Sequence, residues 1–145
     1  MEELEGRLKR VEDLLEIHRL FIDYGSHLDA GRFDEYASLF AEDGEVLMGP
    51  MGRAKGRDAI RDLMAAQLAH RVGTSYHVIS SPVVDIHGDE ATSEVMWTVI
   101  QREADGRPRL TMCGRHRDHL IRERGRWKFA SRRGYVDLPS VNQGP

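Results

Sequence analysis

The chain has 145 residues, with 21 Lys and Arg against 24 Asp and Glu, a formal net charge of −3. That length supports one domain with its own core, and the acidic balance argues against binding nucleic acid through a basic face. Hydrophobic residues make up 40% and charged ones 31%, the mix of a globular domain rather than a disordered or fibrous one. The one cysteine, Cys113, rules out an internal disulfide framework and a zinc site built on several thiolates. No apolar run approaches the roughly 20 residues that span a bilayer, and MEELEGRLKR lacks the basic-then-apolar order of a secretory signal. A cytoplasmic protein with no membrane partner is expected. Without repeats or linkers, residues 1–145 are read as a single domain.

The first helix is expected from about Glu2 to Leu28. Leu4, Leu8, Val11 and Leu15 repeat at helical spacing, and Leu20, Phe21, Tyr24 and Leu28 are read as continuing the stripe. Gly31 suits its C-cap. A second helix is expected from Arg32 to Ala41, with Phe33, Tyr36, Leu39 and Phe40 inward, then a turn at Asp43-Gly44. Glu45 to Met48 reads as a short strand. A third helix begins at Gly56-Arg57-Asp58 and carries Ile60, Leu63, Met64 and Leu68 on its apolar face.

From Thr74 the apolar period changes to two. Tyr76–Ile86, Ala91–Gln101, Leu110–Arg122 and Arg126–Val136 read as four strands. The turns at His87-Gly88-Asp89, Asp105-Gly106-Arg107-Pro108 and Arg124-Gly125 are short, so neighbouring strands should run antiparallel. Helices followed by sequential strands predict an α+β fold: a curved, mostly antiparallel sheet with helices on its concave face and a pocket left between them. Either Trp97 or its neighbours Met96 and Ile100 must face outward. An apolar outer sheet face predicts self-association.

Among seven histidines, His18 and His70 read as solvated, His87 as a turn residue, and His27 is ambiguous. His77 begins a strand in an apolar segment, where it is either a satisfied core residue or a site residue. His116 and His119 are three apart on a strand and face opposite ways, which defeats a shared metal. No metal site is expected. His116 shares its face with Asp118, which needs a partner; Arg132 and Arg133 are the candidates, in a structural or a substrate-binding ion pair. Asp29 sits against the dipole at the first helix's C-terminus, either as a turn former or for a functional reason. Tyr24 lies a turn and a half earlier, near the same face. No phosphate-binding loop, dinucleotide fingerprint or serine-nucleophile elbow is present, and no cofactor is expected.

The stretch His27-Leu-Asp-Ala-Gly-Arg-Phe-Asp-Glu-Tyr-Ala-Ser-Leu-Phe-Ala-Glu-Asp-Gly-Glu45 resembles the opening of SnoaL-like proteins in the nuclear transport factor 2 superfamily. Gly56-Arg57-Asp58-Ala59-Ile60, His77, and Arg124-Gly125-Arg126-Trp127-Lys128-Phe129 followed by Arg132-Arg133 are similar to later features of that family. The resemblance implies a cone-shaped α+β barrel, its sheet wrapped around about three N-terminal helices and enclosing a pocket. It is closest in pattern to the dehydratase and dehydrochlorinase branch. There an aspartate ends the first helix and a histidine sits on the strand after the third, positions that Asp29 and His77 occupy here.

The resemblance implies a cofactor-independent lyase or isomerase in which His77 removes a proton from a small, largely apolar, cyclic substrate. Asp29 would orient and stabilise the imidazole, Tyr24 would donate to a substrate oxygen, and Arg132 would stabilise negative charge. His116, Met48 and Gln101 fall where relatives place other substrate-binding side chains. Relatives of this kind form trimers or dimers. Two other readings are a non-catalytic binding or accessory module and a limonene-type epoxide hydrolase, whose Asp–Arg–Asp set would need Asp118. A chelator should leave the fold and any activity unchanged; a stoichiometric zinc on His116 or His119 would contradict this reading.

Overall fold

The computed structural model describes residues 1–139; residues 140–145 of the expected domain lie outside them. Helix α1 (Glu2–Ala30) is followed by α2 (Phe33–Ala37), β1 (Phe40–Leu47), β2 (Arg53–Lys55) and α3 (Arg57–Leu68). Four long strands complete the chain: β3 (Ser75–His87), β4 (Glu90–Arg102), β5 (Pro108–Glu123) and β6 (Arg126–Leu138). The six strands form one curved, open sheet in the order β2-β1-β6-β5-β4-β3. Strands β3 to β6 are an antiparallel meander, as their short turns dictate. The return through the helices lays β1 parallel to β6. The architecture is the expected α+β cone, with the helices inside the curve. No described helix is long and apolar enough to cross a membrane.

The second helix is shorter than expected, and Phe40 and Ala41 belong to β1. The Phe129 N–H donates to the Leu39 carbonyl at 2.9 Å, and Phe40 lies in register with Phe129, so sheet pairing overrides the helical spacing. Asp43-Gly44 is accordingly an irregularity within β1, not a turn between elements. A Cβ on Gly44 would come within 3.0 Å of the Ala41 and Phe129 carbonyl oxygens, closer than side chains sit in packed interiors.

Helix α1 corrects the sequence reading. Ile17, Leu20, Phe21, Tyr24 and Leu28 are buried, whereas Leu4, Leu8, Val11 and Leu15 are exposed. Only the C-terminal half of the helix therefore packs into the sheet. Where it enters, a carboxylate fixes it. Asp13 is buried and accepts from Arg122 Nη2 at 3.0 Å and from Trp127 Nε1 at 3.1 Å. The Arg122 guanidinium lies 4.6 Å over the Trp127 ring. One turn on, Glu16 accepts from Arg126 Nε at 2.9 Å and from the Trp127 N–H at 3.1 Å. These contacts clamp the helix to the β5–β6 hairpin.

On the sheet, Trp97 faces in and Met96 faces out, beside exposed Tyr76, Val78 and Leu110. Arg122 holds the Asp13 carboxyl below its ordinary range. A carboxyl depressed in the folded state contributes stability that is complete above its unfolded pKa near 4 and is lost as pH falls through the folded value. Asp13→Asn should cost about 2–4 kcal/mol at neutral pH, the range for breaking a buried charged network. It should also flatten the acid limb of stability against pH. Urea denaturation at pH 7 and pH 3.5 checks both; an unchanged midpoint at pH 7 would refute the clamp.

Candidate active site

The site is built where the C-terminal end of α1 crosses β3. Gly25 makes the crossing close: a Cβ there would stand 3.2 Å from the His77 carbonyl oxygen and 3.3 Å from the Ile79 side chain. Gly31 ends the helix in the left-handed conformation, at φ 73°, which glycine adopts without strain. Between them Asp29 reaches residue 77. Its two oxygens accept the His77 backbone N–H at 3.0 and 3.1 Å, and Oδ1 lies 2.7 Å from His77 Nδ1. A carboxylate can only accept, so Nδ1 carries the hydrogen and Nε2 presents its lone pair. The two side chains are 15% and 17% exposed, and His77 faces a cavity.

That cavity, about 100 Å³, is lined by His77, Tyr24, Trp97 and His116 together with aliphatic and thioether side chains. Met48, Met51, Met64 and Met112 are four of the six methionines in the chain. Thioethers are flexible and polarisable, so this wall adapts to irregular apolar shapes. Two glycines allow the close packing of the wall around it. A Cβ on Gly114 would collide with the Tyr135 carbonyl and stand 2.7 Å from the Trp97 ring; one on Gly134 would stand 2.8 Å from Met48 Sδ. Arg71, from the short 3₁₀ turn after α3, brings a positive charge to the lining. Gly25 and Arg71 go unread in the sequence, and Trp97 reads there only as facing either outward or inward. A glycine inside a buried helical stripe was the one available signal.

Of the expected site residues, Asp29, His77, Tyr24, His116 and Met48 gather here, with Asp29 behind His77. Arg132 does not reach the cavity. It is fully buried and donates from Nε and Nη2 to both Asp118 oxygens, at 2.7 and 3.2 Å. Ser93 Oγ donates to Asp118 Oδ2 at 2.8 Å. The Arg132 guanidinium lies 4.2 Å over the Tyr24 ring and 4.4 Å over Phe129, so it backs the cavity wall instead of forming it. Arg133 is exposed on the other face of β6. Gln101 also misses the cavity: it lies opposite Ser75 near the end of β4 and borders a separate surface dent with Thr74 and Arg102. His119 is exposed and points away from His116. Among the described residues, no three His, Cys, Asp or Glu side chains converge as a metal site requires.

Burial, with help from Arg132 and His77, holds the His116 pKa well below the usual histidine value. His116 is therefore uncharged near neutrality. Its Nδ1 is sealed in protein without a partner, so Nε2 is the nitrogen left for the cavity. Burial raises the Tyr24 hydroxyl, which stays protonated as a donor. The rings of Tyr24 and His116 meet edge-on at 5.3 Å, and those of Trp97 and His116 lie 5.9 Å apart.

Comparison with known proteins places this architecture. The structure is similar to an NTF2-like protein with a cystatin-like fold from Novosphingobium aromaticivorans, at 27% identity and a TM-score of 0.86, covering 97% of this chain and 92% of that one. It is also similar to a candidate scytalone dehydratase from the same organism, at 27% identity and a TM-score of 0.76, covering 89% and 87%. An uncharacterized protein of Mycobacterium tuberculosis is 27% identical over 123 residues, 84% of each chain. The sequence pattern of the SnoaL-like domain matches residues 9–133, a span that holds both ends of the α1–β3 crossing and the cavity lining except Gly134 and Val136. By that match the chain belongs to the SnoaL-like domain family.

Proposed function

We propose that the protein is a cofactor-independent lyase or isomerase that removes a proton from carbon in a small, largely apolar, cyclic substrate. The contact of Asp29 with His77 at 2.7 Å carries this reading. A module that only binds a ligand needs a cavity but has no use for a carboxylate fixed on an imidazole. Two histidines line the cavity, and they differ in one respect. Protonated His77 would have a carboxylate beside it, whereas protonated His116 would face Arg132 and His77 in a dry site. His77 is thus the base and His116 a neutral hydrogen-bonding group.

In an elimination, His77 Nε2 takes the proton next to a substrate carbonyl. The electron pair of that C–H bond moves toward the carbonyl oxygen, which accepts from the Tyr24 hydroxyl. The hydroxyl on the neighbouring carbon then leaves and takes the proton from the imidazolium, giving water and a conjugated ketone. An isomerisation shares the first step and returns the proton to another carbon. Asp29 stabilises the imidazolium in both. The kinship with a candidate scytalone dehydratase supports this chemistry. The epoxide hydrolase reading loses support, because Asp118 and Arg132 are bonded to each other behind Tyr24.

The first step is assayed without knowing the product. Cyclic β-hydroxy ketones are incubated with the protein in heavy water, and deuterium uptake and water loss are followed by mass spectrometry. His77→Ala should abolish both while the fold persists. Asp29→Asn should cost on the order of 10⁴ in rate, as loss of the orienting carboxylate does in a related triad, and the double variant should be no worse than His77→Ala. A His77→Ala protein as active as the parent would overturn the proposal in favour of a binding module.

Tyr24→Phe should cost roughly 10²–10³, the worth of one donor to a developing oxyanion. His116→Gln should leave the acid limb of the pH–rate profile in place, since burial holds the His116 pKa well below the usual histidine value. A limb that moves with His116 would exchange the roles of the two histidines.

A further inference from the structure

Helix α1 has a second apolar face that the fold leaves uncovered. Leu4, Leu8, Val11, Leu15 and Ile22 are each 53–64% exposed. At 100° per residue their directions cluster roughly 150° around the axis from the buried set Ile17, Leu20, Phe21, Tyr24 and Leu28. They repeat at alternating steps of four and three: Met1, Leu4, Leu8, Val11, Leu15, His18, Ile22. That is the seam of a coiled coil over three heptads, apolar at every position except His18. Such a strip, on the order of 500 Å², is of the size at which exposed apolar patches are usually functional. Every residue from Met1 to Glu12 is exposed, so the first three turns stand clear of the domain.

The geometry points to α1 of a second copy as the partner, packed antiparallel along this seam. Coverage of the seam and charge together select the register. When Leu4 faces Ile22 of the partner subunit, Leu8 faces the partner's His18 and Val11 faces the partner's Leu15, so the whole seam is covered. In that register Glu5 of each copy flanks Arg19 of the other, a guanidinium that also pairs with Asp23 of its own helix at 2.8 Å. Sliding one helix by a heptad, so that Leu4 faces the partner's Leu15, sets Glu5 against Glu12 instead. The chosen register leaves Glu12 near its own copy at the twofold axis, a like-charge contact that the test exploits. The free end of each helix then rests on the domain-borne half of the other, and the two domains lie on opposite sides of the pair, because the seam faces away from the core. The same surface serves both copies, as a closed twofold dimer requires.

Sedimentation at micromolar concentration should show a dimer. Leu8→Glu with Leu15→Glu should weaken it at least 100-fold and leave the near-ultraviolet circular dichroism unchanged, since neither side chain is in the core. Glu12→Gln should tighten the dimer; in a parallel pair Glu12 would face Arg7, and the same change would loosen it. Met96→Glu, on the outer sheet face, should leave the dimer intact. A monomeric parent, or a dimer that survives both leucine changes, overturns the proposal. Dissociation by Met96→Glu assigns the interface to the sheet, and loosening by Glu12→Gln rejects the antiparallel arrangement.

Discussion

The position of helix α1 governs the rest of the structure, and two carboxylates hold it. Asp13 clamps it to the β5–β6 hairpin, and Asp29, roughly 24 Å further along the axis, clamps it to β3. The apolar stripe between these points supplies most of the burial, but apolar contact is non-directional and would tolerate a slide or a rotation. Hydrogen bonds to Trp127 Nε1 and to the His77 N–H would not, because each demands a donor at a set distance and angle. Gly25 keeps the second clamp close, since a Cβ there would stand 3.2 Å from the His77 carbonyl oxygen, tighter than packed side chains usually sit. The contact that orients the candidate base is thus also the contact that seats the helix. A shift of α1 would disturb both together.

The Asp118–Arg132 pair is kept from the cavity by one layer of side chains. Asp118 and Arg132 are both fully buried, a state costly in desolvation that breaks even only when the geometry is good and the remaining polar atoms find partners. The forked pairing and Ser93 meet most of that demand, although Arg132 Nη1 finds no partner. The return is positional. The guanidinium stacks on Tyr24 and Phe129, and cations favour such ring faces most when desolvated. Its charge therefore fixes and polarises the phenol from behind without entering the cavity lining, to which Arg71 brings the positive charge.

Much of this was legible in the sequence, for reasons that differ by element. The four long strands announce themselves because each turn residue stands between clean period-two runs. Alternation also placed His116 and Asp118 on one face and His119 on the other. Asp29 stood out as an acid at the unfavourable end of a helix. What could not be read was depth. Arg132 and Gln101 both lie on strands beside the site, but a period of two tells only which face a residue takes. Arg132 ends behind an aromatic layer, and Gln101 a rung past the cavity rim. Helix α2 failed for another reason: Phe40 is apolar at helical spacing and equally apolar beside Phe129, and only the long-range pairing with β6 decides between them.

The largest misreading, that of α1, has a simple physical origin. Leu4 to Leu15 and Leu20 to Leu28 read as one stripe because each set alone has helical spacing. The step from Leu15 to Leu20 is five residues, or 500°, which moves the direction 140° around the helix. Two stripes so displaced cannot share one core, so a helix carrying both must meet two different surfaces. The first set keeps a 3.5-residue period over its whole length, the period of a helix packed on another helix. The second has the broader face, including adjacent Leu20 and Phe21, of a helix laid on a sheet. The phase break between Leu15 and Leu20 marks the change of environment. It also explains why exposed leucines flank a helix whose other side is among the best-buried surfaces in the domain.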